Sequence, residues 1–549
     1  MILTPAPAGP AIVLTRPKTS LSSTASVDKL DKRHPYYKGL VDTWDALDLL
    51  YRGGHAIQKE WARFLLKRPK ELPEIWLSRG QRFNYENHLG VGLGWYRATL
   101  FKKDPEFHWK VKDGAQEATD AQTEWYVEWL QNVDRNGTTY TNLWRHLFTT
   151  MCVFREAYCC VDLPHADDVP LTLLEQKQSG GLDPYLMAYD PRSIINWSVD
   201  DFGNYNWIII KTGSTTEEFL GDQINIDRWY YYDRTEYRIY ERQTKVGEAS
   251  SEGMPIYGPN GVPLSISSVN VAKLIDSGPH ALATAGRVPV RHYEIPEGLW
   301  LANRGYLPAV ALINLQNSYE WSLFMANLAI PVIKTESEKI QTMSESAALQ
   351  LAPGDSIEFA EPKGTSYKAS AEAIRCKREE LFRQMYLASQ GRDSSASASA
   401  SSGYSKEMDM MPSKDVLSEF GEVVRAGAQN QLMDVLAVRE DEAIVPDVRG
   451  LNFEISTELQ EAEVLEIEMS LDVPSDTFYK EKFKKLIAMA NPDANSDVLQ
   501  KMYDEVDASP SRSELAAQQA QMQQLTFARG IERAVTSTGQ NAEQAGGAP

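Results

Sequence analysis

The stretch from Leu307 to Ala329 constrains this chain more than any other. It reads as one helix of 23 residues with a single charged side chain, Glu320. At 1.5 Å per residue such a helix spans about 35 Å. Apolar residues occur on more than one face, so one flat partner could not cover it. It also carries Asn314, Gln316, Asn317 and Asn327, which a lipid-facing helix would rarely hold, so no transmembrane span is read here. The rod therefore needs protein neighbours on several sides. Either it is the central core helix of a monomer, or it packs against copies of itself in a ring. Pro308 falls where a first-turn proline is tolerated, and Pro331 ends the rod.

The next segments look like the return leg of a hairpin. Residues 331–369 form a short mixed module built from IPVIKTE, SESAALQL and DSIEFAEP. A second helix is predicted from Ser370, its N-cap, to about Ser389. Ile374, Leu381, Phe382 and Met385 share one of its faces, and Arg375, Lys377, Arg378 and Arg383 decorate the others. Then comes SQGRDSSASASASSG, Ser389–Gly403. Such a run buries too little apolar surface to offset its ordering entropy, so a mobile loop is expected. Serine-rich runs commonly separate domains. This one lies between two helices of the same assembly, which suggests a loop displayed where something slides past.

A long helix is predicted over about 404–438, with Met411, Val416, Phe420, Val424, Leu432 and Val435 as its apolar residues. A strand, LNFEIS (451–456), comes next. Acidic helices are expected around 458–471, 476–490 and 496–506, before a Gln/Ala helix and Gly-rich end over 512–549.

The N-terminal half has a different texture. Residues 1–33, rich in Pro, Ser and Thr, read as disordered. The first twenty residues lack the basic start and apolar core of a signal peptide. Leu40, Trp44, Leu47, Leu50 and Tyr51 fall at helical spacing and stop at Gly53-Gly54. A second helix is expected over 55–67, further helical segments over 84–101 and before Asn136, and another over 138–154 leading into a strand at 156–162. From 183 to 300 the pattern is β-rich, with SIINWSV, NWIIIKTG, RWYYYDRTEYRIYERQ and VPVRHYEIP as strands. Residues 244–285 read as an irregular insertion.

Little in the chain suggests catalysis. There is no GxxxxGK[ST], HExxH, GxSxG or paired CxxC. GVGLG (90–94) does not fit a dinucleotide fingerprint and is read as a helix break or close packing. The eight histidines show no i, i+4 pair, so no metal ligand set is expected. The four cysteines, Cys152, Cys159, Cys160 and Cys376, are read as buried free thiols. Asp42, Asp45 and Asp48 lie on one helix face and are read as a solvated face. The alternating basic and aromatic residues of RWYYYDRTEYRIYERQ are read as a two-faced hairpin rather than a base-stacking surface, because nearby acids almost cancel the arginines. The net charge of −20 argues against a tight grip on phosphates and is compatible with nucleic acid that must pass without sticking.

The order of parts, with several short strings, resembles the portal protein of tailed bacteriophages. The strings are RGGHAIQKEWARFLLKRPKE (52–71), YRATLFKKDPEF (96–107), EAYCCVDLP (156–164), DPRSIINW (190–197), LPAVALINLQNSYEWSLFMANLAIPVI (307–333) and SSGYSKEMD (401–409). The resemblance covers about residues 36–510. It implies an α+β portal-type subunit with a disordered arm (1–35), an α/β wing (36–305, a helical start then a β-rich part), a first stem helix (306–330), a small mixed clip (331–369), a second stem helix (370–389), a tunnel loop (390–403), a long helix and return strand of the wing (404–455), an α-helical crown (456–510) and a Gln/Ala-rich tail (511–549). It also implies a ring of about twelve copies with closed head-to-tail contacts.

The expected function is a virion channel at one capsid vertex, assembled in the host cytoplasm. Double-stranded DNA would pass through it without sequence specificity during packaging and ejection. Terminase, a head-tail adaptor, the major capsid protein and scaffold would be its partners, with no membrane, no cofactor and no turnover of substrate. Ser394, Ser395, Ser397, Ser399, Ser401 and Ser402 would line the channel. Another ring-forming virion adaptor and a cytosolic enzyme with an unrecognised site stay open as alternatives.

Overall fold

The computed structural model describes residues 24–112, 117–164, 183–217, 223–245, 256–257, 263–264, 271–326, 330–334, 356–360, 365–387, 403–441 and 443–451, and, further on, 465, 467–468, 475–490 and 496–509. The chain divides into two compact units, Met1–Phe453 and Glu454–Pro549. The fold is mixed α+β.

The first described residues already depart from expectation. β1 (Thr24–Ser26) and α1 (Val27–Leu30) lie inside the arm expected to be disordered. β1 pairs antiparallel with a strand some 250 residues away, Thr24 opposite Lys273. Just beyond α1, the Asp31 carboxylate accepts from Lys211 Nζ at 2.9 Å and from Trp229 Nε1 at 2.7 Å. Pro/Ser/Thr composition signals weak local structure, and a distant sheet edge supplies what the segment lacks.

Helix α2 (Pro35–Arg52) starts where His34 Nδ1 accepts from Tyr36 N at 3.2 Å, and it buries Tyr37, Trp44, Leu47 and Leu50. It stops at Gly53, whose φ of 58° and ψ of −152° suit only glycine. The helix expected over 55–67 breaks at Glu60 into α3 (Gly54–Lys59) and a short 3-10 turn, Trp61–Arg63. α4 (Pro73–Gln81) and α5 (His88–Leu100) come next. GVGLG lies within α5 and serves close packing: a Cβ on Gly92 would sit 1.8 Å from Met385 Cε.

Strand β2 (Glu106–Val111), α6 (Asp120–Trp129) and α7 (Tyr140–Phe154) lead to β3 (Glu156–Asp162), every residue of which is buried. α7 ends deep in the protein, where helix carbonyls lack intrahelical partners. The indole N–H groups of Trp44 and Trp300 satisfy two of them, donating to Phe154 O at 3.0 Å and Val153 O at 2.9 Å.

The strands after β3 are β4 (Tyr185–Tyr189), β5 (Ile194–Val199), β6 (Tyr205–Glu217), β7 (Gln223–Asp233), β8 (Glu236–Lys245), β9 (Ile256–Tyr257), β10 (Pro263–Leu264), β11 (Val271–Pro279) and β12 (Val290–Glu294). One sheet has the order β1-β11-β8-β7-β6-β5, and β12-β3-β4 form a second. β11 corrects the reading of 244–285 as an irregular insertion over 271–279, while 246–255, 258–262 and 265–270 lie outside the described residues. It pairs along β8 with a bulge between Leu274 and Asp276. Ile208, Ile210, Tyr232 and Tyr237 of the larger sheet share a core with Tyr158, Cys160 and Val290 of the smaller one.

The apolar rod is α8 (Leu301–Ala326), and residues 327–329 lie outside the described set. It begins a turn and a half before Leu307, so Pro308 lies inside it rather than in its first turn. β13 (Ile330–Lys334) and β14 (Ser356–Ala360) pair antiparallel. α9 (Thr365–Gln384) then starts five residues ahead of the expected N-cap, Ser370, and the chain leaves it at Tyr386, a non-glycine residue with φ of 59°.

α10 (Gly403–Val438) closely matches its expected span. The return strand is β15 (Ile444–Arg449), paired with β2. It therefore precedes the predicted 451–456, of which 452–456 lie outside the described residues. Pro446 and Asp447 disguise it in the sequence, yet β2 supplies the partner edge.

In the second unit α11 (Asp476–Ala490) and α12 (Ser496–Ala508) pack together. Lys484 bridges Glu481 at 3.2 Å and Asp507 at 2.9 Å.

Candidate functional site

Between α8 and α9 the chain reverses through a two-stranded hairpin, with Ile330 opposite Ala360 and Lys334 opposite Ser356. The two helices pack along one another, and α8 also meets α2, α5 and α7. Polar residues on the rod act as clamps. Asn314 Nδ2 donates to Phe64 O at 2.8 Å, and its Oδ1 accepts from Leu66 N at 2.8 Å. Asn317 does the same with Asn84, at 2.8 Å to the carbonyl and 3.0 Å from the N–H. Each side chain thus satisfies backbone groups of a loop that wraps the helix.

Shelter within one chain is therefore real along much of the rod. Leu301, Ala302, Ala309, Leu312 and Ile313 are buried, whereas Leu307 is 73% exposed and Phe324 39% exposed. The rod is a core helix of the single chain over part of its length and leaves large apolar side chains uncovered elsewhere. No helix of the described residues is long and apolar enough to cross a membrane.

On α9, two of the four basic residues expected to decorate its outer faces, Arg375 and Lys377, are partnered with acids. Arg375 pairs with Glu372 at 2.5 Å and Glu379 at 3.2 Å, and Lys377 with Glu380 at 2.7 Å. The helix C-terminus is anchored firmly. Met385 and Leu387 are buried, Tyr96 Oη donates to Met385 O at 2.7 Å, and Arg304 donates to Tyr386 Oη.

The serine run departs from this anchor. Ser394, Ser395, Ser397, Ser399, Ser401 and Ser402 all lie outside the described residues. Its two flanks are placed. Ser413 Oγ donates to Tyr386 O, so α10 touches the end of α9 ten residues after Gly403. Ten residues of helix rise about 15 Å, so the chain leaves at the anchor and re-enters at the far tip of that helical segment.

Beyond Ser413, α10 is fixed to the sheet. Asp434 is 4% exposed and accepts a fork from Arg291, Nε at 2.6 Å and Nη2 at 2.7 Å, with Arg287 Nη1 at 3.3 Å. Tyr293 Oη donates to Gln431, and Tyr140 Oη to Ala428 O at 2.7 Å. Gly427 is required by closeness, because a Cβ there would lie 2.5 Å from Trp144.

The other sequence candidates have structural roles. Asp45 and Asp48 form no bare solvated face: Arg192 Nη1 lies 3.4 Å from one and 3.1 Å from the other, and Arg52 lies 3.3 Å from Asp48. In the β7–β8 hairpin each arginine has an acid. Arg228 meets Glu241 at 2.7 Å, Arg242 meets Asp227 at 2.6 Å, Arg234 meets Asp200 at 2.6 Å, and Arg238 meets Glu236. Cys152, Cys159 and Cys160 are buried free thiols, and burial pushes all three thiols up. Cys376 departs from expectation by being exposed.

One group is not apparent from helical spacing. Glu156, His292 and Glu294 present ligand atoms that all lie within 4.8 Å of one another. They are brought together by pairing of β3 with β12, Glu294 opposite Glu156. An i, i+4 histidine pattern cannot reveal such a set. The alternation His292-Tyr293-Glu294 on a strand is the available signal, since it puts both ligands on one face.

No protein-family model matches this chain, and no curated protein matches it in sequence.

Proposed function

We propose that this chain is the subunit of a phage portal ring, about twelve copies closed head to tail, through which double-stranded DNA enters and leaves a capsid. On this reading α8 and α9 are the stem and β13–β14 belongs to the clip, which docks terminase during packaging and the head-tail adaptor afterwards. The sheets form the wing, α11 and α12 belong to the crown, and major capsid protein and scaffold surround the ring. The chain resides in the virion, uses no cofactor and turns over no substrate.

The observation that carries the reading is the excursion from α8 through a β-hairpin to α9, followed by a serine run that feeds a 36-residue helix anchored in the sheet. A low-complexity run held at both ends by rigid helices is suited to a channel wall. Its hydroxyls and methyls offer little for phosphates or bases to grip. The net charge of −20 per subunit, repeated round a ring, creates a field that repels phosphate and favours passage over binding.

Limited trypsinolysis tests the reading at Arg392, the basic residue within SQGRDSSASASASSG. In the assembled particle, cleavage there should be slower than in the dissociated chain by about tenfold or more, because opening of a shielded site limits the rate. Equal rates in both states would mark the run as an ordinary surface linker.

A further inference from the structure

We propose that Glu156, His292 and Glu294 form a binding site for a divalent transition-metal ion of the zinc class. Glu156 opens β3 and Glu294 sits opposite it on β12, with His292 two residues earlier on the same face. The three donor atoms lie within 4.8 Å of one another. Zinc holds nitrogen and oxygen donors at about 2.0–2.2 Å, which puts tetrahedral donors roughly 3.4 Å apart. Small side-chain rotations therefore close the set.

The surroundings ask for a cation. Glu156 is 2% exposed, and a buried carboxylate needs compensation. It accepts from the hydroxyls of Tyr36 and of Tyr158, the latter at 3.1 Å, and its countercharge in the metal-free chain is the His292 ring when protonated, a role that a bound ion would take over. His292 Nε2 lies 3.5 Å from Glu156 Oε2. That ring nitrogen is buried, and beyond this long contact with Glu156 it makes no hydrogen bond among the described residues. The His292 ring stacks on Tyr158 with centroids 4.7 Å apart, which fixes its direction. Glu294 is half exposed and provides a path from solvent.

Arg155 is the competitor. Its Nη2 lies 3.9 Å from Glu294 Oε2, a loose ion pair that a metal must displace. An imidazole ligand selects zinc or cobalt over magnesium and calcium, which prefer all-oxygen sets. The bound ion would clasp β3 to β12 beside Tyr36 of α2, and would stabilise the fold by linkage.

The test is titration of the purified chain with Co²⁺, read by visible d–d absorption, then displacement by Zn²⁺ and, separately, Mg²⁺. Thermal unfolding is followed in parallel. A cobalt band lost to Zn²⁺ but not to Mg²⁺ is expected, together with a Zn²⁺-dependent rise in Tm. Glu294→Gln and His292→Gln should each weaken binding by at least about tenfold, no less than loss of an outer-shell partner. Arg155 has φ of 74°, a conformation glycine accepts, so Arg155→Gly should fold and bind more tightly. The proposal fails if wild type shows neither band nor Tm shift at about 100 µM metal, a concentration at which even a weak site shifts stability. It also fails if folded Glu294→Gln and Arg155→Gly bind as wild type does.

Discussion

Asp434→Ala should destabilise the larger unit by about 3 kcal/mol, seen as a lower urea midpoint at unchanged slope. The carboxylate is almost fully buried and receives the Arg291 fork and the Arg287 head. Removing it strands the Arg291 guanidinium in a site shaped for an ion pair, and breaking a buried pair from one side costs about 3–5 kcal/mol. The Arg291 side chain keeps 28% of its exposure and can turn partly to water, which places the effect at the low end.

The double variant Asp434→Leu with Arg291→Met should recover most of the loss, because no buried unpaired charge remains and Arg287, half exposed, can turn to water. A single-variant effect below about 1 kcal/mol, the scale of one neutral hydrogen bond, would mean that α10 is held by packing and by its tyrosine contacts alone. The consequence reaches beyond stability. α10 takes up the chain after the serine run, so loosening its sheet anchor loosens one end of that run.

Replacing Ser394, Ser395, Ser397, Ser399, Ser401 and Ser402 with lysine should stall DNA packaging or ejection under assay conditions that leave wild type unimpeded. In the proposed ring of about twelve the change would add roughly 72 ammonium groups to the channel. Each phosphate they neutralise releases counterions, so binding strengthens steeply as salt falls, by a log–log slope of about −0.9 per contact. On the portal reading, a channel that repels phosphate would become one that grips it. Raising ionic strength should therefore relieve the stall, whereas a steric block would persist. A variant with the same six serines changed to threonine adds no charge and should pass DNA normally. Unchanged transit in the lysine variant would remove the run from the path of the DNA.

Local pattern reveals the parts whose information is local. The spacing of Trp44, Leu47 and Leu50 marks α2, the apolar run EAYCCVD marks the buried β3, and alternation marks the β7–β8 hairpin. The hidden parts depend on remote partners. Thr24 pairs with Lys273 and Ile444 with Val111, and neither short segment carries enough pattern of its own to signal a strand. Asn314 and Asn317 are legible in the sequence as unfit for lipid, but their use as backbone clamps needs the loops at 64–66 and 84. Glu156 and His292 are far apart in the chain and meet only through strand register. The serines that the resemblance singles out lie outside the described residues, and only their flanking anchors at Tyr386 and Ser413 are placed.

The mass of the native assembly, measured by light scattering on the eluting peak and checked by negative-stain images, goes most directly to the question of self-association. Closed rings of about twelve copies of a 61.7 kDa chain, roughly 740 kDa in all, are the expected result. A monodisperse species of one chain mass, unmoved by raised concentration or added scaffold, would show that the exposed part of α8 has no identical neighbour to find and would contradict the portal reading.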